Sequence, residues 1–184
     1  IENILKELDT IYIYDPFEAA MDRLIANEQP RVKAKIVKCA SADELVSKSE
    51  VVVSATPISH TPAPFVKKES VHKGQTIVCL DCHSVYEDAV YKMADRYYMD
   101  SIEEHELLVG YGYYPWGLPE ITGETGALAA GLVPGRSSKD DILIFNNVGM
   151  ASEDMMCARI IFDKALEKGL GIKLPLWDST KGII

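Results

Sequence analysis

The chain lacks any apolar run near the roughly 20 residues that a membrane-crossing helix needs, so no such span is expected. Positive charge is scarce: 19 Lys and Arg stand against 28 Asp and Glu, a formal net charge of −9. That balance repels polyanions and argues against nucleic acid or an anionic membrane as partner. Cysteine is sparse, four in 184 residues without a disulfide framework, which points to reduced thiols and a cytoplasmic protein. Repeats and low-complexity tracts are missing. So are an initiator Met and a glycine-rich phosphate-binding turn. The one internal candidate for that turn, Gly110-Tyr111-Gly112, has no strand before it and runs into Pro115. What is present is 47% hydrophobic residues, enough for one domain of ordinary size with a real core.

Periodicity divides the chain into alternating elements. Ile1, Ile4, Leu5 and Leu8 form one apolar stripe of a helix already under way. Thr10 to Tyr14 reads as a buried strand, Phe17 to Ile25 as an amphipathic helix, and Val32 to Cys39 as a looser strand. Ser41 with Glu44, and later Ser101 with Glu104, are capping-box pairs that open helices. Val51-Val52-Val53, Thr76 to Leu80, Arg96 to Met99 and Ile142 to Phe145 are further strands. Tyr86 to Met93 reads as a helix, Gly123 to Leu132 as a small-residue helix, and Met150 to Lys168 as a long helix stopped by Gly169. The strands are solidly apolar, so the pattern predicts an α/β fold with a parallel sheet covered on both faces.

In such a sheet, ligands bind beyond the carboxyl ends of the strands. Nearly every strand here turns polar at its last position: Asp15, Ser54 and Thr56, Asp81, Asp100, Asn146 and Asn147. Burying a carboxylate inside a sheet is costly, so these groups belong on one rim, as strand punctuation or as a ligand site. Asp15 fits the acid that ends the second strand of a dinucleotide fold, where it accepts from ribose hydroxyls and repels a 2′-phosphate, favouring NAD over NADP. Counting back about 20 residues places the glycine-rich turn and first strand upstream of Ile1. Asp81 is the candidate acid or base, with a strand-end turn cap as the alternative.

Other motifs are weaker. Cys79-Leu80-Asp81-Cys82-His83 matches the CxxCH haem pattern, yet Cys79 falls inside an apolar strand. No second cysteine pair provides zinc spacing, and no metal is expected. His60, His72 and His105 read as surface histidines, and Met150, Met155 and Met156 as core filler. Tyr111, Tyr113, Tyr114 and Trp116 either line a pocket or pack a loop, and packing is the simpler reading.

From Val51 to Trp177 the chain resembles the ornithine cyclodeaminase/mu-crystallin family. The carrying residues are Val51 to Pro57, Leu80-Asp81-Cys82, Gly123-Glu124, Gly131 to Arg136, Asp141 to Asp154, and Ala165 to Gly171. Residues 1–50 match only a generic dinucleotide pattern. The resemblance implies a Rossmann-like, doubly wound domain over 1–150, lacking its first strand and glycine-rich turn. Residues 151–184 would be a helix and tail returning toward a substrate and dimerisation domain outside this chain. It implies NAD-dependent hydride transfer at the α-carbon of an amino or imino acid, through an imine, in a homodimeric parent. A cyclodeaminase would go on to expel ammonia. By similarity Asp81 falls on the catalytic aspartate, and Asp15 with Pro16 on the ribose-binding turn. Ser54-Ala55-Thr56 falls on the cofactor-contacting strand end, and Asn147 beside the nicotinamide. Many members follow the aspartate with Pro-Gly-Lys or Pro-Gly-Arg, whereas this chain has His83-Ser84-Val85, which weakens the case for ornithine itself. The family also contains a crystallin that binds without turnover, and that alternative stays open. Substrate-gripping basic residues would lie outside the 184 residues, so the chain alone is expected to be inactive.

Overall fold

The computed structural model describes Leu5 and residues 7–174, which fall into two compact units, 1–148 and 149–184. In the first, strands and helices alternate: β1 (Thr10–Ile13), α1 (Glu18–Glu28), β2 (Lys35–Lys38), α2 (Ala42–Lys48), β3 (Val51–Ser54) and β4 (Thr76–Cys79). Then come α3 (Asp88–Tyr91), β5 (Arg96–Met99), α4 (Ile102–Gly110), β6 (Gly123–Glu124), α5 (Thr125–Ala129) and β7 (Leu143–Asn146). β1 and β2 form one parallel pair, and the remaining strands a wholly parallel sheet in the order β3-β4-β7-β5-β6. This is the expected α/β, Rossmann-like architecture.

The helix starts follow their capping residues. Ser41 Oγ accepts from the Glu44 N–H at 3.1 Å, and Glu44 reaches back to the Ala40 N–H at 2.7 Å. Ser101 Oγ does the same for Glu104 at 3.2 Å, while Glu124 Oε1 takes the Ile102 N–H, so α4 opens on acceptors from two segments. Each cap is worth about 1 kcal/mol.

The core lies on one face of the five-stranded sheet. Val52, Ile77, Cys79, Ile144, Tyr97 and Met99 pack there against Val46 of α2 and Val90 and Tyr91 of α3. Burying each large side chain contributes about 1.5–3 kcal/mol. The opposite face is covered at β7 and β5, where Leu143 and Tyr98 are 6% and 0% exposed, and open only at β3, where Val51 and Val53 are 45% and 47% exposed.

Two element assignments change. Gly123 and Glu124 do not begin a helix but pair with Tyr98 and Met99 of β5, and only Thr125–Ala129 is helical. A side chain at Gly123 would meet Val133 at 2.9 Å, so the strand packs against the Val133 loop only as glycine. Ile1 and Ile4 of the first stripe lie outside the described residues, whereas Leu5 and Leu8 are described and are not helical.

The second unit is helix α6 (Ala151–Glu167) and its exit. Gly169 adopts φ +64°, and the Gly169 and Leu170 N–H groups donate to Leu166 and Ala165, which closes the helix with a Schellman motif. Met155 and Met156 are 68% and 65% exposed, not core filler. The tail from residue 175, including Trp177, lies outside the described residues.

Candidate functional site

The polar strand ends sort into groups with different surroundings. Asp81 follows β4, and its carboxyl group is fully buried. Oδ2 accepts from the Thr56 backbone N–H at 3.2 Å and its hydroxyl at 3.4 Å, so the turn after β3 holds one oxygen. Oδ1 has no partner. Burial pushes the carboxyl above the usual aspartate range, against the opposing interactions of Thr56 and the Ser54 hydroxyl. The next residue, Cys82, has φ +54°, a left-handed conformation uncommon for a side-chain-bearing residue, and it turns the chain sharply beneath the aspartate.

The structure thus brings together Ser54, Thr56 and Asp81. Ser54 ends β3 with its hydroxyl buried close to the Asp81 carboxyl, and Ala55 is exposed beside it. Ser84 Oγ and both ring nitrogens of His83 are buried without hydrogen-bond partners among the described residues. Buried polar groups are normally paired, at a cost of about 1–3 kcal/mol each when they are not. Asn147 lies on the same rim after β7; it is half-buried and takes a bond from the Thr125 hydroxyl at 3.3 Å.

Asp15 and Pro16 stand apart at the end of β1. Asp15 Oδ1 accepts from the Phe17 N–H at 2.7 Å, leaving its other oxygen for a cleft of about 450 Å³ lined by Tyr14, Pro16, Met21, Lys38 and Cys39. The cation at that cleft is committed: Lys38 Nζ lies 2.5 Å from Asp22 and 3.2 Å from Glu18.

Two of the rim residues are structural. Asp100 Oδ2 accepts from the Val148 N–H at 2.7 Å and Oδ1 from Ser101 at 3.0 Å, so this acid clamps the chain leaving β7. Asn146 is fully buried, donating to Tyr97 Oη at 2.9 Å and accepting from Tyr114 Oη at 3.4 Å. Tyr114 is buried accordingly, as packing required.

Sequence reasoning missed two histidines. His105 is not on the surface but fully buried, its Nδ1 on the Ser101 carbonyl at 2.8 Å. Its position on the inward side of α4 was the available signal. His83 was weighed only as a haem or zinc ligand. It is instead enclosed by rings, stacked on Tyr91 at 3.8 Å and meeting Tyr114 edge-on at 4.6 Å. Burial drives its pKa down to about 3, so the ring is neutral. Cys79 and Cys82 of the haem pattern are both buried and free.

Comparison with known proteins gives a consistent set. The profile described as "Ornithine cyclodeaminase/mu-crystallin family" matches residues 1–169, reaching further upstream than the motifs alone did. N-((2S)-2-amino-2-carboxyethyl)-L-glutamate dehydrogenase of Staphylococcus aureus is 28% identical over 96% of this chain and 54% of its own length. Alanine dehydrogenase of Archaeoglobus fulgidus is 26% identical over 91% of this chain and 52% of its own. Among solved structures, a Thermococcus litoralis Δ1-pyrroline-2-carboxylate reductase in complex with NADH and L-proline superposes with TM-score 0.74 at 22% identity, covering 90% of this chain and 53% of that one. An archaeal alanine dehydrogenase dimer with bound NAD gives TM-score 0.72 at 24% identity, over 92% and 53%. The chain spans about half the length of the curated relatives it matches.

Proposed function

Since the chain belongs to the ornithine cyclodeaminase/mu-crystallin family, we propose that it is the nucleotide-binding part of an NAD-dependent oxidoreductase acting at the α-carbon of a small amino or imino acid. The relatives named above are dehydrogenases and a reductase of such compounds, which supports the oxidoreductase kind over a cyclodeaminase. The observation that carries the reading is Asp81: buried, its carboxyl held above the usual range, one oxygen fixed by Thr56 and the other unpartnered.

When bound, the nicotinamide supplies or accepts the hydride. The chain's own residues do the rest. Asp15 offers its unengaged oxygen to a ribose diol, with Pro16 shaping the turn. Lys38, neutralised by Glu18 and Asp22, gives no free cation for a 2′-phosphate, which favours NAD over NADP. Ser54, Ala55 and Thr56 present a hydroxyl and a small side chain at the strand end, and Asn147 an amide across from them. Asp81 in its protonated form can deliver a proton to an imine nitrogen, and as carboxylate it can take one from an ammonium group. The site residues fit the cofactor, but the residues that grip the substrate are proposed to lie in polypeptide outside these 184 residues, in a homodimeric and cytoplasmic parent.

The test is Asp81→Asn in the 184-residue chain and in a longer polypeptide that carries it. The longer protein should oxidise or reduce an amino or imino acid with NAD(H), and the variant should lose about 10²–10⁴-fold in kcat with NADH affinity kept. The short chain should be inactive. A fully active Asp81→Asn variant would refute the role. A longer protein that binds NADH but turns over no amino or imino acid would favour the crystallin-like binder.

A further inference from the structure

We propose that Glu18 and Asp22 of α1 are specificity-determining residues, which mask Lys38 as a ready-made ligand for a 2′-phosphate. That role rests on the reading of Asp15 as the ribose acid and is separable from it.

Periodicity and register place the three groups together. Glu18 and Asp22 stand four residues apart on α1, so their carboxylates leave the helix on one face. Lys38 is the last residue of β2 and pairs with Ile13 of β1, two residues before Asp15. Its side chain therefore lines the cleft that Asp15 and Pro16 border. There the helix acids meet it, Asp22 at 2.5 Å and Glu18 at 3.2 Å from Nζ. The hydrogen bond from Asp22 is the main force that raises the lysine pKa, so the ammonium is firmly charged and firmly held.

Among the described residues lining the cleft, Lys38 is the one cation. Nearby backbone donors are spent: the Phe17 N–H on Asp15 at 2.7 Å, the Cys39 N–H on the Ile13 carbonyl at 2.9 Å, and the Ala40 N–H on Glu44 at 2.7 Å. A phosphate entering here would turn to this ammonium, and lysine suits phosphate as a compact point charge. To reach it the phosphate must displace two carboxylates and then lie beside three, Asp15 included. A ribose hydroxyl meets neither obstacle. This is discrimination by repelling the wrong ligand. The acid side chains are 79% and 64% exposed, and such exposed ion pairs contribute little to stability, so removing them should open the seat and keep the fold. Asp15→Ser, by contrast, removes one negative charge and leaves Lys38 held.

The probes are 2′-AMP and 5′-AMP for the 184-residue chain, and NADPH and NADH for the longer protein. Ionic strength is held fixed, because salt screens exposed charges. Glu18→Gln combined with Asp22→Asn should tighten 2′-AMP by about tenfold or more, with amide shifts at Asp15 and Lys38 on titration. The NADPH-to-NADH affinity ratio should rise by a similar factor. Lys38→Ala in the parent should move that ratio by less than about twofold, and added to the double variant it should abolish the gain. This cycle separates an unmasked lysine from mere loss of negative charge, which would favour any anion with or without Lys38. An unchanged ratio in the double variant, a gain that survives Lys38→Ala, or an equal gain for 5′-AMP overturns the proposal. A longer protein that binds neither NADH nor NADPH removes the ribose reading and this role together, whereas NADH binding with an unmoved ratio removes only this role.

Discussion

Acidification from pH 7 to pH 5 should destabilise this protein mainly through one imidazole. His83 is enclosed by Tyr91, Tyr114 and the flanking turn, 1% exposed, and its pKa falls from 6.5 to about 3. Burial dominates that shift; the Asp88 carboxylate opposes it, and His105 adds to it. The folded state therefore binds fewer protons than the unfolded chain between about pH 3 and 6.5, so stability rises with pH across that window and is lost on acidification. With those two values, linkage gives a loss of about 2 kcal/mol between pH 7 and pH 5, out of a ceiling near 5 kcal/mol if the chain stayed folded below pH 3. For a domain of this size that is a fall in Tm of about 4–8 °C. His83→Phe keeps a flat ring between the aromatics and removes two unpartnered nitrogens, so its Tm at pH 7 should equal or exceed the parent's. The assay is thermal unfolding of both proteins in half-unit pH steps, read as the difference between them, which cancels every other titrating group. A parent and variant with parallel Tm curves from pH 7 to pH 5 would show that His83 is not held neutral by burial.

Asp81 carries the opposite sign: its folded pKa is raised, so the folded state holds a proton that the unfolded chain releases, and stability falls as pH rises through the ordinary carboxylate range. Asp81→Asn should therefore raise Tm at pH 7 relative to the parent and lose that advantage near pH 3, checked by the same melts. Gln75 is fully buried and donates to the Val46 and Ser49 carbonyls at 2.7 and 2.8 Å; Gln75→Ala should cost about 2–4 kcal/mol in urea unfolding, and a cost under about 0.5 would mean those carbonyls find other partners. In the longer protein, Asp15→Ser should improve NADPH affinity relative to NADH by about tenfold in fluorescence titration, and an unchanged ratio would remove Asp15 from the ribose site.

What could be read in advance was whatever depends on neighbours along the chain. Ser41 and Ser101 announce their helices because the partner sits three residues away, and the apolar runs of β3, β4 and β7 announce a parallel sheet because no amphipathic alternative fits them. Gly123-Glu124 went unread because its strand exists only through pairing with Tyr98 and Met99, some 25 residues earlier. Asp100 looked like a ligand acceptor for the same reason: the N–H it holds, at Val148, is 48 residues distant. His105 sits among Glu103, Glu104 and Glu106, a local composition that reads as surface, while its own position turns inward.

The candidate site follows that division. Asp81 was identified from its place at a strand end and from family resemblance, but neither could say that Thr56 would grip one oxygen and leave the other bare, since that depends on how β3 and β4 align. The exposure of the outward valines of β3 was unreadable for a more basic reason. Val51 and Val53 have the same hydrophobicity whether a helix covers them or not, and a sequence pattern records only that a side chain wants cover. Where the cover comes from is a property of the assembled sheet. The same apolar pattern thus fits Val51 and Val53, which are exposed, and Leu143 and Tyr98, which lie on the same face and are buried.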